Sequence, residues 1–229
     1  YPTRTLDDLP AIAAAPADAG LNRFGSRVDH PARATGFFRT ERIGGRWWLI
    51  DPDGGLGLNR SVVSVTMMRT PGAVAALERK FGGEAGWAAS TAALLQAHGF
   101  NGLGAWTNTD LLRAAPTKLA YTLIWNFMSG YGKKRGGTYQ QPGHTGYPKD
   151  AIFVFDPEFA TFCDDYARQL AATKDDPWLL GHFTDNELPL KREALANYLS
   201  LPEKDPGRLA AQAFLRERHG AAATVKDIT

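Results

Sequence analysis

Three polar residues, Asp185, Asn186 and Glu187, close an otherwise apolar run in the stretch GHFTDNELPL, Gly181 to Leu190. A strand that only packs a core stops at a turn, whereas one ending in an amide and a carboxylate brings hydrogen bonding and proton exchange to a surface. The plainer reading of Glu187 is a solvated carboxylate that stabilises the N-terminus of the run after it. Other candidate groups gather in the same way beyond other apolar runs: Thr66 and Arg69, then Trp106 and Asn108, then Asn126. His182 lies inside the last run and alternates with Phe183. It either points toward Glu187 or serves as a satisfied core histidine, the commoner outcome for that residue.

The elements that must hold these residues read as follows. The segment to about Ala34 is rich in Pro, Ala and Asp and has little periodicity, which predicts an irregular lead-in over 1–35. In GFFRTERIGGRWWLIDPDGG, two β-rich runs, Phe37–Ile43 and Arg46–Ile50, flank Gly44-Gly45 and close on Asp51-Pro52-Asp53-Gly54, a strong hairpin signal. A rhythm then begins. Strands are expected at Leu56–Val65, Phe100–Trp106, Tyr121–Phe127 and Trp178–Thr184, and helices at Gly86–His98, Leu111–Ala115 and from Asp156-Pro157-Glu158 to about Thr173. Two more helical runs, Pro189–Leu199 and Pro206–His219, follow. Met128 to Ala151 reads as a long loop without secondary structure, and loops of that length are often functional. It holds Tyr131, Lys133, Lys134, Arg135, Tyr139, His144 and Tyr147, either as the wall of a binding site or as a solvated mobile segment.

Strands alternating with helices predict βα units and a parallel sheet, either open and doubly wound or closed as a (β/α)8 TIM barrel. No GxGxxG follows the first strand and no GxxxxGK[ST] occurs anywhere. Polar residues past the ends of successive strands suit a barrel, whereas an open sheet would gather them at one switch point. The expected fold class is therefore α/β, with about the first four βα units of a TIM barrel in residues 36–229, entered through the hairpin.

Composition excludes several function classes. A formal charge of +2 over 229 residues lacks the basic footprint of a nucleic-acid binder. The single cysteine, Cys163, allows no internal disulfide and reads as a small hydrophobe within a helix. No Cys/His ligand spacing points to a metal, and no cofactor is expected. Neither a run of 18 apolar residues nor a signal-peptide pattern occurs, so no membrane partner is expected either. Composition sets no oligomeric state.

Four blocks, GFFRTERIGGRWWLIDPDG, FNGLGAW, FDPEFATF and KDDPWLLGHFTDNEL, resemble in that order the first half of β-agarases of the family 50 type within clan A of the glycoside hydrolases. The resemblance spans roughly Gly36 to Gly220. It implies a retaining glycosidase cleaving a galactan such as agarose, with a polysaccharide or oligosaccharide as partner and a secreted or periplasmic location. It makes Glu187 the general acid and base, and it gives Asn186 the hydrogen bond to the sugar hydroxyl beside the anomeric carbon. Trp106, Asn126, His182, Asp185 and Arg69 complete the expected substrate-binding set. The chemistry agrees: a glycosidic bond needs a proton for the leaving oxygen and a second carboxylate about 5–5.5 Å away in retaining enzymes. Burial or a neighbouring carboxylate can keep such a Glu protonated near neutral pH.

The pattern departs in two places. After the Asp-Pro-Asp-Gly turn the family usually carries a His, a Phe-rich strand start and an Asn, where this chain has Gly55, Leu56-Gly57-Leu58 and Val63. A barrel also takes about 250 residues, and four strands occupy nearly all of this chain. The family nucleophile follows strand seven. The acids after Glu187, namely Glu193, Glu203, Asp205, Glu217 and Asp227, lie in helical or loop text, and Asp185 shares the strand of Glu187 and cannot flank the sugar from the opposite side. The expectation is a truncated barrel with its nucleophile beyond Thr229 and apolar sheet edges left open. Two alternatives stand beside it. One is another clan A specificity, such as a β-galactosidase, mannanase or glucanase; the other is a carbohydrate-binding half-barrel without turnover.

Overall fold

The computed structural model describes residues 20–29 and 31–220. The chain forms two compact units, the described part of 1–121 with Pro177–Gly181, and Thr122–Asp176 with the described part of 182–229. The expected lead-in falls mostly outside the described residues, as does Asp227.

In the first unit, β1 (Arg39–Ile43) and β2 (Arg46–Ile50) pair antiparallel with Ile43 opposite Arg46, as the sequence predicts. Gly44 (φ 58°) and Gly45 (φ 82°) both take the left-handed conformation that a two-residue hairpin turn demands. The next turn is built around a buried carboxylate. Asp51 Oδ1 accepts from the amides of Asp53 and Gly55, both at 2.9 Å, while Oδ2 accepts from Asn22 Nδ2 at 2.6 Å. A Cβ on Gly55 would meet Asp51 Oδ2 at 2.6 Å and Asn22 Nδ2 at 2.7 Å. The departure from a histidine at this position therefore has a packing reason.

The strand expected over Leu56–Val65 is two. β3 (Leu56–Gly57) joins the hairpin as its third antiparallel strand, and β4 (Ser61–Val62) opens the parallel sheet. Exposed, polar Asn59 and Arg60 mark the change of sheet. A helix absent from the sequence reading follows, α1 (Pro71–Phe81), with Thr70 accepting from the Ala73 amide, Pro71 in the first turn and Gly82 at φ 67° closing its end. Then come α2 (Glu84–Ala97), β5 (Gly102–Leu103) and α3 (Thr109–Ala114). β5 is shorter than the run Phe100–Trp106 suggests, but hydrogen bonds continue past it, Gly104 N to Val62 O at 2.8 Å and Ser64 N to Ala105 O at 2.9 Å.

β6 (Ala120–Trp125) begins in this unit and ends in the second. The second unit continues with α4 (Phe127–Arg135), β7 (Tyr139–Gln141) and β8 (His144–Gly146), so the expected loop over Met128–Ala151 is a helix and a hairpin. Gly130 and Gly132 lower helix propensity by about 1 kcal/mol each, which hides α4 from a reading of local pattern. Burial of Met128 and Tyr131, in one cluster with Tyr147 and Phe153, stabilises it instead. α5 (Phe159–Ala167) passes into a 3-10 turn ending at Thr173, matching the expected end. After β9 (Leu179–Thr184), the helical run expected from Pro189 narrows to α6 (Ala194–Leu199), because residues 188–191 form tight turns, with Leu190 N to Leu188 O at 2.7 Å. α7 (Pro206–His219) has the predicted bounds, with Asp205 capping the Gly207 amide.

The fold is thus mixed α/β, with a four-stranded sheet in the order β4-β5-β6-β9. β4, β5 and β6 are parallel, pairing Val62 with Leu103 and Leu103 with Tyr121. In the first unit Tyr121 N bonds Trp178 O at 2.9 Å, and Phe24 (2% exposed) sits against Trp178 with ring centroids 4.5 Å apart.

Candidate active site

β9 carries its chain out of the sheet through a backbone that is held on both sides. The Asp185 amide donates to the Trp125 carbonyl at 2.8 Å, tying the exit of β9 to the end of β6. The Asp185 carboxylate turns back to α4, where Oδ1 accepts from the Met128 amide at 2.8 Å and the Ser129 amide adds a second bond. α4 has no cap from its own preceding residue, Asn126, so Asp185 supplies from a distant part of the chain what a local N-cap supplies elsewhere. Burial raises the pKa of Asp185 above the ordinary carboxylate range, outweighing the two backbone bonds that act in the opposite direction. On the other side, Leu188 packs against the cluster of Met128, Tyr131, Tyr147 and Phe153.

Between these anchors stand Asn186 and Glu187. Asp185 (φ 54°) and Glu187 (φ 50°) both adopt the left-handed conformation, which costs an L-residue about 1–2 kcal/mol. Such strain persists where surrounding contacts over-determine the backbone, and it clusters at functional sites. The Glu187 side chain is 63% exposed, and its Oε2 lies 3.4 Å from His144 Nδ1. The burial expected around this carboxylate is therefore not supplied by the described residues. Asn186 is half-buried and makes no side-chain hydrogen bond among them.

His182 is neither a core residue nor a partner of Glu187. It is exposed, and its Nδ1 accepts from Trp125 Nε1–H at 2.9 Å. An indole nitrogen only donates, so the neutral imidazole carries its proton on Nε2. Partial burial lowers the His182 pKa below 6.5. Asn126, exposed at the head of α4, follows directly on Trp125. The second unit thus brings Asn126, His182, Asp185, Asn186 and Glu187 to the ends of β6 and β9.

Arg69 and Trp106 belong to the first unit. Arg69 forms an exposed ion pair with Glu84 at 3.2 Å, an arrangement of little energetic weight. Trp106 follows β5 in the left-handed conformation (φ 58°) and is 47% exposed. For so bulky a residue that conformation is an outlier. Ser64, past β4, shares it (φ 56°). Asn108 stands at the N-cap position of α3 without capping it through its side chain, which accepts from the Met67 amide at 2.9 Å and joins the loops after β4 and β5.

Among the residues of the expected loop, Tyr131 and Tyr147 are core. Arg135 is bound by Asp156 and by Asp205, the latter at 3.3 Å, and lies over the Phe153 ring. His144 alone of that group reaches Glu187. Trp125 and His144 are the participants that pattern reading underrates, because one looks like strand core and the other like loop. Among the described residues no group of three or more His, Cys, Asp or Glu could hold a metal ion, and no helix is long and apolar enough to cross a membrane.

The mixed α/β fold is shared with solved structures. BpGH50 matches with a TM-score of 0.74 at 22% identity, over 91% of this chain and 48% of that one. An agarase named AgWH50C matches with 0.65 at 20%, over 91% of this chain and 39% of that one, and an exo-β-agarase with 0.64 at 20%, over 87% and 39%. By sequence the chain is similar to β-agarase B of Vibrio sp. (strain JT0107), 26% identical over 279 residues, which cover 88% of this chain and 28% of that protein. The resemblance to β-agarases carried by the four sequence blocks is therefore shown. The chain spans less than half the length of each of these relatives. No protein-family model matches it.

Proposed function

We propose that this chain is part of a secreted or periplasmic glycoside hydrolase that cleaves agarose with retention of configuration, and that Glu187 is its general acid and base. The observation that carries the reading is the exit of β9. A solvent-facing carboxylate is held in a strained backbone by a helix cap on one side and a packed leucine on the other, in a fold shared with agarases. The hairpin and the sheet β4-β5-β6-β9 would be the entrance and first half of a (β/α)8 barrel. The nucleophile would lie outside these residues, about 5–5.5 Å from Glu187 in the assembled site.

In the first step Glu187 gives its proton to the glycosidic oxygen as the nucleophile attacks the anomeric carbon. In the second it takes a proton from the water that releases the sugar. Asn186, with its side-chain amide uncommitted, binds the hydroxyl beside the anomeric carbon, an interaction that accelerates the reaction only insofar as it strengthens in the transition state. In this reading the substrate set also includes Trp106 for its ring face, Asn126 and the Nε2–H of His182 for polar contacts, and Arg69. Asp185, committed to α4, acts by positioning its neighbours.

The test is release of galactose-containing oligomers from agarose by the whole protein, with mannan and β-glucan as controls. Glu187→Gln is expected to lower the rate about 10²- to 10⁴-fold while leaving binding nearly intact. Cleavage of a control polysaccharide instead would move the specificity elsewhere in the clan. Binding of agarose without turnover would make the chain a carbohydrate-binding half-barrel.

A further inference from the structure

We propose that His144 is a positioning residue that fixes the carboxyl group of Glu187 for proton transfer, an inference that rests on the acid/base reading of Glu187. The imidazole comes from an element separate from β9 and is itself rigidly mounted. β7 and β8 pair Gln141 with His144 across Pro142-Gly143, where Gly143 takes φ 87°. Proline followed by a positive-φ glycine fixes a tight turn with little freedom left in it. At the far end of the hairpin the Tyr139 ring lies over Gly146, where a Cβ would come within 2.3 Å of it. The next residue, Tyr147, is 2% exposed and packs on Phe153 with ring centroids 5.5 Å apart. Beyond it, Asp150 accepts from Lys191 Nζ at 2.7 Å, which ties the segment after the hairpin to the segment after Glu187.

Two stretches far apart in sequence are thus joined by shared burial, since Leu188 and Tyr147 belong to one cluster, and by an ion pair, and His144 and Glu187 face each other between those ties. Lys191 pairs with Asp150, Arg135 with Asp156 and Asp205, and Lys134 lies 3.7 Å from Glu158. Among the described residues, the basic side chain that approaches the Glu187 carboxylate is that of His144, at 3.4 Å. A glutamate open to solvent loses up to about 2 kcal/mol of rotamer entropy when it is held in one geometry, and a partner on a rigid hairpin can hold it there before substrate arrives. Misplacement of a reacting group by about 1 Å can cost 10²-fold in rate.

The experiment has two readouts on the full protein. In the first, the 15N resonances of the His144 imidazole are compared between wild type and Glu187→Gln; the Nδ1 signal is expected to move more than Nε2. In the second, agarose kinetics are measured for His144→Ala, His144→Asn and His144→Gln. Alanine is expected to lower kcat roughly 10- to 10²-fold with KM little changed. Asparagine, whose amide nitrogen stands where Nδ1 stands, is expected to restore most of that loss, and glutamine, which mimics Nε2, to restore little. An Nδ1 signal that ignores Glu187→Gln overturns the inference whatever the kinetics. So does a loss in alanine that asparagine does not repair, because that pattern marks a damaged hairpin. If Nδ1 responds but the wild type releases no oligomers, the hydrolase reading has failed, and the catalytic meaning of the contact fails with it.

Discussion

Replacing Asp185 by alanine removes the cap that joins the exit of β9 to α4. The variant leaves the Met128 amide, now bonded at 2.8 Å, and the Ser129 amide without their acceptor. Loss of an N-cap costs about 0.5–2 kcal/mol, and an alanine held at the left-handed φ of 54° adds up to about 1–2 kcal/mol. Against these stands relief from burying a carboxylate, the dominant influence on the Asp185 pKa. The net expectation is a loss of about 2 kcal/mol, or roughly 4–8 °C in Tm for a chain of this length. Asparagine keeps an acceptor and tolerates the backbone conformation, so Asp185→Asn should cost less than about 1 kcal/mol. Urea denaturation gives the two values, and amide hydrogen exchange at Met128 and Ser129 locates the change. If alanine costs nothing and both amides stay protected, Asp185 does not cap the helix. Equal losses in both variants would assign the effect to charge and not to acceptor geometry.

Three further outcomes follow from the same packing. Burial and the Asp185 charge push Tyr147 up to about 12, above its unfolded value near 10. Its contribution to stability is therefore complete below pH 10 and is lost as pH rises from 10 toward 12, by up to about 3 kcal/mol; Tyr147→Phe should flatten that alkaline decline in pH-dependent denaturation. Gly86→Ala improves intrinsic helix propensity by about 1 kcal/mol, yet the added Cβ would lie 1.7 Å from the Phe81 carbonyl oxygen, a backbone atom that cannot swing aside. The clash should win, with net destabilisation of about 1–3 kcal/mol in thermal melts. Gly143→Ala, at φ 87° with open space around it, should cost about 1–2 kcal/mol through backbone strain alone, read from the same melts.

Much of the architecture was legible because local signals agreed with the tertiary outcome. Gly44-Gly45 between β-rich runs, the apolar run ending at Thr184, and Asp205-Pro206 opening a helix each carry their own mechanism. α1 is equally legible, since Thr70-Pro71 and Gly82-Gly83 bracket it, although it is a second helix between β4 and β5 that a strict strand–helix alternation does not predict. α4 was not. Its cap lies 57 residues away in Asp185, and its glycines argue against a helix until Met128 and Tyr131 are buried. The site divides in the same way. Asp185, Asn186 and Glu187 stand out as polar residues closing an apolar run, whereas the approach of His144 to Glu187 and the bond from Trp125 to His182 depend on strand order and hairpin packing. No spacing in the sequence encodes either contact.

The role of Glu187 is tested most directly by how its loss depends on the leaving group. Glu187→Ala in the whole protein should be measured on agarose and on an aryl β-galactoside whose phenolate leaves without protonation. A general acid predicts a fall of about 10²- to 10⁴-fold on agarose, and a far smaller fall in the bond-breaking step of the aryl substrate. Equal losses on both substrates, or none on agarose, would contradict the assignment of Glu187 as the proton donor.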